Sequence, residues 1–212
     1  MLGNHDQKRV ASRIGPNQAR IGAVLLLTLR GTPTLYYGDE LGMRDVPIAA
    51  NAVRDPWERR EPGLGLGRDP QRTPMQWDDS QYAGFSDAKP WLPVADDHAQ
   101  VNVASQRGDP GSMLTLYRRL IELRRACPPL TQGAFRMLSA QDNVLAYERS
   151  HRDHRLLMAL NFDSAPKELI IPVGANERVL LSTKGDPSPA APLVLRPDEG
   201  VIVGDPVAAG HA

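Results

Sequence analysis

Cysteine is almost missing from this chain: Cys127 is the only one in 212 residues, so no disulfide can close within it. That usage suits a reducing compartment, and residues 1–13 hold no apolar stretch of leader length, so a cytoplasmic protein is expected. An excess of charge of one sign is missing too. Twenty-five Lys and Arg offset twenty-five Asp and Glu, without long runs of either. That balance leaves no electrostatic footprint for nucleic acid or for an anionic membrane as partner. Apolar runs such as residues 23–27 stop far short of the roughly twenty residues a membrane helix needs. There is no glycine-rich phosphate loop and no Ser/His/Asp arrangement in a recognisable context. Residues 39–45 lack the alternating oxygen ligands of a calcium loop. His151 and His154 flank Asp153 at a metal-like spacing, but Arg152 and Arg155 would repel a cation there, so a solvated turn is expected. Neither a metal nor a cofactor is expected.

What is present reads as a globular chain of one domain or one and a fraction, with 41% apolar and 24% charged residues. Residues 1–3 look like the last residues of a strand that needs about five to pair, so an earlier part of a barrel is expected to be missing. Residues 16–30 predict a helix: Pro16 suits a first turn, Ile21, Val24, Leu25 and Thr28 share a face, and Gly31 stops it. Residues 34–37 predict the next strand. From 39 to 109 periodicity disappears, yet Trp57, Trp77, Trp91, Tyr82 and Phe85 lie there, too many aromatics for disorder. A long loop is expected, with Trp77 and Trp91 pinning it to the domain. Residues 109–126 predict a second helix, with Met113, Leu116, Leu120 and Leu123 on one face, ended by Pro128 and Pro129. Short β-rich runs then follow at 135–139, 144–149, 155–161, 168–173, 178–182, 193–196 and 201–203, the spacing of an antiparallel sandwich. Residues 186–192 read as a loop and 205–212 as a frayed tail.

Chemistry begins at Asn4-His5-Asp6, where an imidazole and a carboxylate at a strand's mouth suit hydrogen bonding to vicinal hydroxyls or to a developing positive charge. Alone, the tripeptide reads equally as a turn. It is followed by residues 29–43, LRGTPTLYYGDELGM, then by residues 68–77, RDPQRTPMQW, with Ala83-Gly84-Phe85, Pro90-Trp91-Leu92-Pro93 and the helix from Tyr117 to Arg125 further on. This ordered set resembles the C-terminal portion of the α-amylase superfamily, glycoside hydrolase family 13, and its exo-acting α-glucosidases and oligo-1,6-glucosidases in particular.

The resemblance implies an α/β plus all-β chain: the C-terminal end of a (β/α)8 TIM barrel over 1–128, from the end of its seventh strand to its eighth helix, with the long loop 39–109, then an antiparallel β-sandwich domain over 129–207 and a tail at 208–212. It also implies roles. Retaining glycosidases need a nucleophilic carboxylate and an acid/base carboxyl about 5 Å apart. The family takes both from strands that precede this chain. Asp6 corresponds to the third acidic residue, which holds hydroxyls of the reacting sugar and stabilises the transition state. His5 corresponds to a donor to the same hydroxyls, and Arg68 with Asp69 to contacts with the terminal glucose. Arg9 is expected at the entrance, and Arg72 is read as structural. Asp39 and Glu40 are adjacent and point to opposite faces of an extended strand, so they are expected to fix the strand's mouth.

Three functions follow as expectations. The first is the C-terminal portion of a retaining α-glucosidase acting on α-glucoside oligosaccharides and inactive alone. The second is a carbohydrate-binding fragment without catalysis, and the third is a nonfunctional product of a truncated reading frame. With few barrel strands to cover them, the helix faces 21–28 and 113–123 are expected to be exposed, and the chain to aggregate.

Overall fold

A computed structural model describes residues 2–170, 173–185 and 192–205. The chain divides into two compact units, one of Met1–Pro16 with Thr34–Thr115 and the other of Asn17–Pro33 with Leu116–Ala212. This division differs from the expected boundary at 128/129. Both long helices give most of their length to the second unit.

Helix α1, Val10–Thr28, is two helices joined at Gly15, whose φ of 79° and ψ of 162° break the ladder. A side chain is strained at that φ, so Gly15 is the residue that lets the chain turn, and Pro16 opens the second segment as expected. The first segment was not foreseen. In the second unit Ile21, Val24, Leu27 and Thr28 are buried, and so are Leu116, Tyr117 and Leu120 of α4, Met113–Ala126. The expectation of exposed helix faces is therefore overturned, because the β sheet covers α1. Gly200 lies close enough to Val24 that an added Cβ would sit 3.5 Å from its Cγ2, and the Thr28 hydroxyl meets the Tyr147 hydroxyl at 2.5 Å.

A short helix follows, α5 at Pro128–Thr131, so the two prolines begin a helix after ending one. The sheet consists of β1 (Ala134–Gln141), β2 (Val144–His151), β3 (His154–Asn161), β7 (Glu199–Gly204) and β5 (Arg178–Ser182), antiparallel in that order. β4 (Lys167–Leu169) and β6 (Leu193–Leu195) form a separate antiparallel pair. Strand periodicity decides the layers. Ala146, Ala159 and Val201 are register partners, and with Leu157 and Val203 they meet Leu193 and Leu195 of β6 in one core. Tyr147, Met158 and Ile202, also register partners, point the other way. With both faces covered, β3 and β7 are buried along nearly their whole lengths. The expected strand at 168–173 is observed only at its start, since Ile171 and Pro172 lie outside the described residues, as do residues 186–191 of the expected loop and the tail beyond 205.

In the first unit, residues 34–37 are extended but pair with no strand among the described residues, so the expected strand is not formed as part of a sheet. A strand is stabilised by its neighbours' hydrogen bonds, and here the Tyr36 and Tyr37 hydroxyls donate instead to the carbonyls of Gln71 and Thr73, at 3.0 and 2.8 Å. The long loop carries the short helices α2 (Pro56–Arg60) and α3 (Val103–Gln106) and three single 3-10 turns. Trp77 and Trp91 are 49% and 83% exposed, so they do not pin it.

Arg149 is fully buried and donates to the carbonyls of Thr28 at 2.5 Å, Gly133 at 3.0 Å and Ala134 at 3.2 Å. Arg149→Met keeps much of the volume and leaves three buried acceptors without their donor, which costs about 2–4 kcal/mol. Urea unfolding followed by circular dichroism is expected to show that loss, while Arg118→Met on the exposed side of α4 shifts stability by less than about 0.5 kcal/mol.

Candidate functional site

Asn4 starts the site by local chemistry. Its side-chain oxygen accepts the Asp6 amide at 2.9 Å, a turn typical of Asn, and residues 5–7 bend there. The Asp6 carboxylate, about half exposed, is thereby left to face other side chains. Its Oδ1 accepts from Arg68 Nη1 at 3.2 Å and from Arg72 Nη2 at 3.0 Å, and its Oδ2 lies 3.3 Å from His5 Nε2. Arg72 also donates from Nε to the His5 carbonyl at 2.9 Å. The structure thus brings His5, Asp6 and Arg68 together as the sequence suggests, and adds Arg72, which had been read as structural.

Arg68 is held from behind. Asp55, with no exposed side-chain surface, accepts from Arg68 Nε at 2.6 Å and from the Arg68 amide at 3.1 Å, while its other oxygen caps α2 by accepting the Trp57 amide at 2.8 Å. Burial alone would raise the Asp55 carboxyl, but the hydrogen bonds from Arg68 and Trp57 outweigh it and hold it below the usual carboxylate range. The bonds to Asp55 and then to Asp6 raise the Arg68 guanidinium in turn. Sequence reading missed Asp55. The signal was there as Asp-Pro opening a helix, a cap followed by proline at the first position.

Two assignments are corrected. Asp69 is buried, and its Oδ2 accepts the amides of Arg54 at 2.6 Å and Asp55 at 2.8 Å, so it shapes the turn that carries Asp55 and does not present its charge to a sugar. Arg9 is fully buried and does not line an entrance: its Nη1 donates to the Tyr37 carbonyl at 2.7 Å, and its guanidinium lies 5.1 and 4.9 Å from the ring centres of Tyr36 and Tyr37. A planar cation stacked on two aromatic rings is stable without water, which is why an arginine sits inside.

Asp6 opens on a cavity of about 930 Å³ whose far wall comes from residues 48–71. Glu58 folds that wall by accepting the amides of Gly63 at 2.8 Å and Gly67 at 3.0 Å. Gly67 is required there, since a Cβ would come within 2.9 Å of the Glu58 side chain. Among the described residues no group of three His, Cys, Asp or Glu could hold a metal, and no helix is long and apolar enough to cross a membrane. His151 and His154 pair across the tight turn between β2 and β3.

The model of the α-amylase catalytic domain matches residues 1–133. A glucan 1,6-alpha-glucosidase of Streptococcus pneumoniae is 34% identical over 191 residues, covering 79% of this chain and 36% of that protein. An oligo-1,6-glucosidase of Halalkalibacterium halodurans is 34% identical over 183 residues, covering 75% of this chain and 33% of that protein. Maltase A1 of Drosophila melanogaster is 39% identical over 180 residues, covering 80% and 30%. A trehalulose synthase MutB variant crystallised with Tris superposes with a TM-score of 0.84 at 33% identity, covering 96% of this chain and 42% of that one. Extended acceptors and guanidinium-backed carboxylates on a glycosidase scaffold define the class, and the chain belongs to the α-amylase family. It spans about a third of the length of the curated relatives it matches.

Asp39 lies against this site: a Cβ on Gly3 would come within 2.6 Å of its Oδ2. Burial pushes the Asp39 carboxyl up to about 6, with the nearby Arg9 charge opposing the rise. An acid raised on folding keeps its proton in the folded chain, so stability is greatest at low pH and is lost as pH rises from about 4 to about 6. Asp39→Asn is expected to abolish that loss. Its melting temperature relative to the parent should climb across this window and stay higher above it, a gain on the order of 2–3 kcal/mol.

Proposed function

We propose that this chain is the C-terminal portion of a retaining α-glucosidase of the oligo-1,6-glucosidase type, which removes terminal α-linked glucose from short oligosaccharides. In this reading residues 2–4 and 34–37 are ends of strands of the family's (β/α)8 barrel, and the β sheets form its C-terminal sandwich. The nucleophile and acid/base belong to the family's other strands, so the chain is inactive by itself. The observation that carries the reading is the Asp6 carboxylate, half exposed at a cavity mouth and approached by His5, Arg68 and Arg72.

A sugar bound there would place two ring hydroxyls on Asp6, with His5 and Arg68 donating to the same oxygens. As the glycosidic bond breaks, positive charge spreads over the anomeric carbon and ring oxygen. A fixed carboxylate then gains more attraction in the transition state than in the ground state, which is what accelerates the chemical step. Arg68, held by Asp55, contacts the sugar equally in both states and contributes to binding.

Two outcomes follow. The purified chain is expected to release no p-nitrophenol from p-nitrophenyl α-glucoside above a mock-purified control. Once it is joined to the missing part of the catalytic domain, Asp6→Asn should lower kcat by roughly a hundredfold or more. Arg68→Ala should mainly raise KM. An Asp6→Asn protein keeping a third of the parent's rate would refute the assignment.

A further inference from the structure

The first unit carries a second concavity that the Asp6 chemistry does not use. It has a volume of about 760 Å³, the size of a small-molecule site and well below that of a protein interface. Trp77, Phe85, Trp91 and Tyr37 line it, with exposures of 49, 51, 83 and 39%, in a chain where only 5% of residues are aromatic. Arg72 and Lys89 add charged donors to the wall.

These rings are exposed but not loosely carried. The Trp77 amide donates to the Ala83 carbonyl at 2.8 Å, and the Ala104 amide donates to the Trp77 carbonyl at 3.0 Å. Ala83 and Gly84 take the left-handed conformation that turns the chain toward Phe85, whose amide donates to the Tyr82 carbonyl at 3.0 Å. Asp78 and Ser80 tie the same turn, since Ser80 donates to Asp78 Oδ1 from its amide at 2.9 Å and the Gly84 amide donates to Ser80 Oγ at 2.9 Å. The Tyr37 hydroxyl is fixed on the Thr73 carbonyl at 2.8 Å. Apolar ring surface on a pinned backbone is a preorganised binding face, because little ordering entropy remains to be lost when a ligand arrives.

The geometry points to a second carbohydrate site in this groove, taking the pyranose rings of a neutral oligosaccharide by their apolar faces, with Lys89 and Arg72 donating to the hydroxyl edges. A sugar ring has one apolar face and a polar rim, which matches ring faces walled by donors. Arg72 ties the groove to the first site, since the side chain that lines it also bonds Asp6 and the His5 carbonyl. The choice of a sugar as ligand rests on the glucosidase reading.

The test titrates the 212-residue chain with maltoheptaose and, separately, isomaltohexaose, by isothermal calorimetry and tryptophan fluorescence. Saturable binding is expected. Phe85→Ala, which keeps all three tryptophans as reporters, and Trp91→Ala, read by calorimetry, should each weaken it tenfold or more, while Asp6→Asn leaves it within twofold. No saturable binding, or unchanged affinity in both aromatic variants, would overturn the proposal. So would loss of all binding in Asp6→Asn, which would mean a single site at Asp6. Sedimentation showing a dimer that Trp91→Ala dissociates, without a sugar response, would assign the groove to self-association and overturn it too. Failure of the glucosidase reading shows instead in the rate of the joined Asp6→Asn protein, so the two are separable.

Discussion

The buried carboxylate of Asp55 is the constraint on which the site depends. A carboxylate without access to water is tolerated only when donors surround it, and Asp55 has three: the Trp57 amide, the Arg68 amide and Arg68 Nε. Asp69 builds the turn beneath by accepting the amides of Arg54 and Asp55. The order of cause runs from Asp69 to the Asp55 turn, from Asp55 to the guanidinium of Arg68, and from Arg68 to Asp6. Solvent screens the last link, since Asp6 is half exposed, so it adds little to stability and is free to be exchanged for a ligand.

The second unit obeys a different constraint: both faces of one antiparallel sheet are covered. One face meets the β4 and β6 pair and the other meets α1, so inward side chains alternate by parity, and both parities are apolar in β3 and β7. Arg149 is the exception on the helix side. It ends on the carbonyls of Thr28, Gly133 and Ala134, groups at the end of α1 and the start of β1 that no regular ladder would satisfy. One charged side chain therefore replaces three separate caps, and the Thr28 to Tyr147 hydroxyl contact lies beside it.

Much was legible where local rules suffice. Pro16 marks a helix segment start, β2, β3 and β5 begin within a residue of their expected positions, and the Asn-His-Asp turn forms by a bond two residues long. The N-terminal segment of α1 was missed because Gly15 and Pro16 read as its beginning when they are its kink. Residues 34–37 have strand composition but form no ladder, because pairing depends on neighbours and not on propensity.

The sequence by itself determined the family, the antiparallel β elements and the identity of the acidic residue at the site, since these reside in ordered motifs and in periods of two and of three to four. Only the tertiary structure decided which arginines serve Asp6. Arg68 and Arg72 reach it across 62 and 66 positions, while Arg9, three positions away, turns inward onto Tyr36 and Tyr37. It also decided that Asp69 holds backbone and that Trp91 faces solvent. The physical reason is that an arginine or a tryptophan can satisfy itself in several surroundings at similar cost, so burial and partner are settled by packing between distant segments, about which neighbours in the chain carry no information.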